Sequence, residues 1–157
     1  MTTSFETQVT ALGLVLPAPP KPVATYIPVV RTGNLLFLSG MIPLRDGTLI
    51  MAGKLGKDIS VEQGYEAAKL CVLNALAVIR QQLGTLDQVK QVVRMVGYVA
   101  STAEFVQHPA VINGASDLLV KIFGDAGRHA RVAIGAVALP LNSPVEIELI
   151  VQVRDPS

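Results

Sequence analysis

Arg131 is the one charged residue in an otherwise apolar run, Ala130 to Leu139. A guanidinium keeps its proton at physiological pH and offers a planar fork of donors that matches a carboxylate. Set among aliphatic neighbours, it has to meet an anion or a group of carbonyls. Two carboxylates follow shortly, Glu146 and Glu148, in the alternating segment Val145 to Val153. The sequence leaves open whether Arg131 is answered by one of these or by a ligand. Glu146 is able to hold a water or move a proton, or merely to orient the arginine. Glu148 shares its face at a spacing of two and reads as a solvated or interface charge. His129, two residues before Arg131 and on its face, is a residue type able to contribute a proton; a position at the rim is an equally good reading. His129 and His108 are the only histidines, and neither has a second histidine at ligand spacing, so we expect no metal site. Cys71 is the only cysteine, which excludes an internal disulfide and reads as a buried thiol beside a helix core stripe. Glycines are dispersed and no phosphate-binding fingerprint occurs, so no cofactor is expected.

The elements that position these groups follow from periodicity. Ala130 to Leu139 reads as a strand buried on both faces. Pro140, Asn142, Ser143 and Pro144 form a turn. In Val145 to Val153, the odd-numbered residues are apolar and face one way, and Glu146, Glu148, Ile150 and Gln152 face the other. Glu146 is thereby expected on a strand beside the arginine strand. Upstream, residues 1–22 begin with a helical turn and carry four prolines within 17–22, which predicts an extended N-terminal arm. A single domain over 23–157 follows. Val23 to Val30 and Asn34 to Ser39 are strands around Arg31-Thr32-Gly33, and Arg45-Asp46-Gly47 turns into a short strand, Thr48 to Ala52. Ser60 and Gln63 form a capping box opening a helix whose stripe runs Val61, Tyr65, Ala68, Val72, Ala75, Ile79 and Leu83, with Gly84 as its stop. Val89 to Ala100 is a valine-rich strand. A second helix starts near Pro109 and ends at Gly124. The fold class is α+β: about six strands in a sheet with two helices on one face.

Composition narrows the function. The chain has 157 residues, enough for one domain with a real core. Half of them are hydrophobic and 16% are charged, lean for a lone monomer. An open aliphatic sheet face should therefore be covered by copies of the chain itself. The formal net charge of +1, with Lys and Arg scattered, argues against nucleic acid or an anionic membrane as partner. The N-terminus lacks the basic-then-apolar pattern of a signal peptide, and no apolar run approaches the roughly 20 residues of a membrane span. A cytoplasmic location is expected.

Several separated motifs carry a resemblance to a known family. Ala130-Arg131, Leu139-Pro140 and the Val145-Glu146-Ile147-Glu148 block keep their spacing without a gap. Gly33 to Pro43, G-N-L-L-F-L-S-G-M-I-P, and Tyr26 lie upstream, and Asn113 matches with a one-residue length difference. Over roughly residues 23–154 the chain resembles the Rid family of YjgF-type proteins, whose founding member is an enamine/imine deaminase. The resemblance implies a chorismate-mutase-like fold, and a homotrimer whose sheets form a central barrel with clefts between subunits. It also implies site roles. Arg131 would hold a substrate carboxylate. Tyr26, Ser39 and backbone near Gly40 and Ala133 would frame the reacting carbon, and Glu146 and Asn113 would place a water. The implied partner is a small carboxylate-bearing metabolite and the implied reaction a cofactor-free hydrolysis of small imino acids. A non-catalytic metabolite-binding trimer is the alternative; the ribonuclease activity attributed to some relatives fits the near-neutral charge poorly. Three departures stand out. His129 replaces the family's usual proline, Ala133 replaces the founder's cysteine, and the Pro-rich arm is longer.

Overall fold

The structure, a computed structural model, describes residues 4–155. The helical turn expected at the start of the N-terminal arm is a full helix, α1 (Phe5–Ala11), capped by the Ser4 hydroxyl. It docks rather than trails. Val9 is buried, and Phe5 meets Phe123 edge-on at 4.8 Å. The Glu6 carboxylate accepts from the Arg80 guanidinium and the Leu86 N–H. Asp87 accepts from the Ser4 hydroxyl and the Phe5 and Glu6 N–H groups. The prolines of 17–22 then follow in coil.

A hairpin comes next, β1 (Val29–Thr32) and β2 (Leu35–Leu38), turning at Gly33, whose φ of 57° suits a glycine. A separate two-stranded ribbon, β3 (Leu44–Arg45) and β4 (Thr48–Leu49), turns through Asp46-Gly47. Helix α2 (Val61–Leu83) carries the predicted capping box at Ser60 and Gln63 and stops at a left-handed Gly84. Strand β5 (Val89–Ala100), helix α3 (His108–Phe123), β6 (Ala130–Ala136) and β7 (Val145–Val153) complete the chain. The main sheet has five strands in the order β1-β2-β7-β5-β6. Only β6 runs parallel to its neighbour, so the sheet is mixed. Helices α2 and α3 pack on one face, over the inward residues Val145, Ile147, Leu149, Val151 and Val153. No helix among the described residues is long and apolar enough to cross a membrane.

Two expectations about the arginine strand are corrected. First, β6 and β7 are not neighbours, because β5 lies between them. Twelve residues long and rich in valine, β5 gains most by being flanked on both sides. A tight β6–β7 hairpin would leave it at the edge. The connection over 137–144 is accordingly wide and spans the end of β5, where Ala100 N–H donates to the Pro144 carbonyl. Leu141 and Asn142 take positive φ there. Second, β6 is not buried on both faces. It is an edge strand that ends at Ala136, with Ile134 43% exposed and Val137, just past its end, 86% exposed. An apolar edge with unpaired backbone groups is what a second chain would cover. The sheet face away from the helices is likewise uncovered, and Val30, Phe37 and Ile134 stand exposed on it.

Where α2 crosses α3 the backbones nearly touch. A Cβ on Gly114 would lie 2.0 Å from the Tyr65 carbonyl oxygen, and only glycine fits. Gly114→Ala is expected to cost about 3 kcal/mol through overpacking, read as a lower midpoint in urea unfolding.

Candidate functional site

Arg131 lies on the helix-facing side of β6, beside the flank of α3. Its Nη1 donates to the Asn113 Oδ1 at 2.8 Å and to the Ser116 Oγ at 3.1 Å. Both partners are neutral. Three ion pairs form among the described residues, Lys69–Glu66, Arg80–Glu6 and Arg128–Asp125, and Arg131 is in none of them. The choice left open by the sequence is thereby narrowed within one chain: neither Glu146 nor Glu148 answers the guanidinium. Asn113, exposed one turn into α3, spends its carbonyl oxygen on Arg131, which leaves its amide N–H groups to face outward. Ala133 shares the arginine's face and packs against the core, opposite Gly97 of β5.

Behind the arginine a second tier of bonds appears. Ser116 Oγ is 3.0 Å from His129 Nε2, and His129 Nδ1 is 2.7 Å from the Gly127 carbonyl oxygen. His129 is on the arginine's face, as its spacing of two implies. Ser116 is not evident from the sequence, where its only signal is its position three residues after Asn113 on the same helix flank.

The remaining predicted residues gather elsewhere. Ser39 donates its hydroxyl to the Ile27 carbonyl at 2.7 Å and its N–H to the Pro28 carbonyl at 2.9 Å. This ties the end of β2 to the coil that carries Tyr26, which is 51% exposed. Gly40 abuts the Glu146 carboxylate so closely that a Cβ would lie 2.1 Å from Oε1. Glu146 faces the uncovered side of the sheet, level with Tyr98 of β5. Burial raises its pKa above the ordinary 4.5, and the neighbouring Glu148 raises it further. Glu148 and Glu146 also contribute to raising the Tyr98 phenol, after burial. Contrary to the expectation from the sequence, Glu146 is therefore not on the strand beside Arg131. It lies two strands away and on the opposite face. One chain thus presents two separate groups: Arg131, Asn113 and Ala133 on one side, and Tyr26, Ser39, Gly40 and Glu146 on the other.

The family pattern described as "YjgF/chorismate mutase-like, putative endoribonuclease" matches residues 6–153. The protein TCP17 of Trypanosoma cruzi is 39% identical over 145 residues, covering 92% of this chain and 91% of its own. A crystal structure of a protein of unknown function from Agrobacterium tumefaciens is 40% identical with a TM-score of 0.90, over 96% of this chain and 92% of that one. Another, described as a "putative endoribonuclease" from Shewanella oneidensis, is 37% identical with a TM-score of 0.93, over 96% of this chain and all of the other.

The raised Glu146 carboxyl has a consequence for stability. The folded state holds that proton more tightly than the unfolded chain, so the associated stability is fully present below the ordinary glutamate value. It is lost as pH rises through the raised folded value. Glu146→Gln is expected to raise the Tm at pH 7 relative to wild type, with the gain vanishing near pH 4 in a calorimetric series.

Proposed function

The chain belongs to the YjgF/chorismate-mutase-like family, and on that footing we propose that it is a cytoplasmic homotrimer that hydrolyses small imino acids of the 2-aminoacrylate type. The observation that carries this reading is the guanidinium of Arg131, bonded to two neutral side chains and, among the described residues, to no carboxylate. A ligand carboxylate supplies the missing partner through two parallel charge-assisted bonds. The two groups of residues on opposite faces support an inter-subunit cleft, since only a neighbouring copy brings Tyr26, Ser39, Gly40 and Glu146 toward Arg131. The exposed β6 edge and the uncovered sheet face supply the surface for that neighbour.

The chemistry needs little machinery. Glu146, ionised, takes a proton from a water held with the Asn113 amide as the water adds to the C=N carbon. The imine nitrogen gains a proton, and the resulting carbinolamine expels ammonia to leave a 2-keto acid. A carboxyl raised by burial is suited to both accepting and returning that proton. Imines of this kind are already reactive, so orientation and proton transfer suffice.

The test joins assembly to turnover. Sedimentation should give three times the 16.6 kDa of the chain. Ammonia release from freshly generated 2-aminoacrylate should fall about 10- to 100-fold in Arg131→Ala, the range for losing hydrogen bonds to a charged group. Binding of a 2-keto acid without turnover would turn the reading toward a non-catalytic metabolite sensor. Cleavage of RNA that survives Arg131→Ala would overturn it.

A further inference from the structure

We infer that Ser116 and His129 are positioning residues for Arg131, and that the proton state of His129 sets how tightly the arginine holds an anion. The inference rests on the reading of Arg131 as a carboxylate-binding group and adds two residues that this reading does not use.

The direction of each bond follows from its chemistry. The Gly127 carbonyl only accepts, so His129 Nδ1, 2.7 Å away, carries a hydrogen. The Arg131 guanidinium only donates, so Ser116 Oγ accepts from it at 3.1 Å. With His129 neutral, its single N–H is on Nδ1 and Nε2 accepts. The Ser116 hydroxyl proton then points to Nε2 across 3.0 Å. Arginine, serine, histidine and backbone carbonyl form one chain, polarised in a single direction. It fixes Nη1 of Arg131 at the same time as Asn113 does at 2.8 Å.

Protonating His129 reverses its link to serine. Nε2 becomes a donor, Ser116 Oγ must accept twice, and its own proton loses its acceptor. The two bond lengths also put the imidazolium Nε2 within about 6 Å of Arg131 Nη1, close enough for like charges to repel. Other charged groups on neighbouring elements are engaged or carry the same sign. Asp117 of α3 takes the Tyr65 hydroxyl at 2.8 Å, Asp125 pairs with Arg128 at 3.3 Å, and Arg94 of β5 is in register with Ala130. Among the described residues no carboxylate pairs with His129. An anion seated on Arg131 relieves the repulsion. By linkage its affinity therefore rises as His129 takes up a proton.

The test uses the full chain in its native assembly and 2-oxobutyrate as the probe, titrated calorimetrically at pH 5.5, 6.5 and 8.0 at fixed ionic strength. All variants are built on Glu146→Gln, which silences the other titrating carboxyl of the proposed cleft. The parent should bind about tenfold more tightly at pH 5.5 than at 8.0. His129→Gln should lose that dependence while still binding. Ser116→Ala should bind more weakly at both ends of the range, with a reduced dependence. His108→Gln, which alters the other histidine, should behave as the parent. A pH dependence that persists in His129→Gln overturns the inference. Failure of the parent to bind at any pH would instead sink the reading of Arg131. A separate readout needs no ligand: nitrogen NMR at pH 8 should show His129 protonated at Nδ1, and the opposite tautomer overturns the inference by itself.

Discussion

A permanently charged side chain placed where no carboxylate of the described residues answers it is the constraint on which this structure turns. Arg131 sits on an edge strand, so its desolvation is partial, and neutral oxygens from Asn113 and Ser116 meet part of its fork. A carboxylate partner within the chain would satisfy the fork and close the site. Neutral partners hold the geometry and leave the charge available. The placement of α3 against β6 makes this possible, and that placement depends on Gly114 letting α3 approach α2.

The second constraint is the sheet order. With β5 between β6 and β7, the acidic residues of β7 are carried away from the arginine and turned to the opposite face. Glu146 is half buried against Gly40 and beside Glu148, an environment that favours its protonated form. The fold thus keeps a positive group and a proton-holding carboxyl apart within one subunit. Side by side they would pair and neutralise each other.

Much of this was legible before any coordinates. The capping box at Ser60 and Gln63, the full length of β5 and the alternation in β7 were read from local patterns, because those patterns are set by nearest neighbours along the chain. The lone arginine was legible as a group needing an anion. What periodicity could not supply was adjacency. Nothing in the spacing of 130–139 and 145–153 says that a third strand lies between them, since that follows from competition among strands for the buried centre. Nor does an apolar run reveal whether its burial comes from its own chain or another, which is why β6 read as internal and stands at the edge. From the sequence, α1 is legible only as a helical turn before an extended arm. Its stability comes from Arg80, Leu86 and Asp87, about 80 positions away. Ser116 lacked any signal of its own, because a serine on a helix flank acquires meaning only from what stands opposite.

The position of β7 has a further implication, for how the molecule is made. It is the strand that joins the β1-β2 hairpin to the β5-β6 pair, and it is synthesised after both. Until it leaves the ribosome the nascent sheet consists of two unconnected fragments, each with apolar surface and open ladders. Native pairing is therefore completed after synthesis of the strands rather than during it, through contacts of long sequence separation. Any lesion that removes Val145–Val153 should divide the sheet in two instead of trimming its margin.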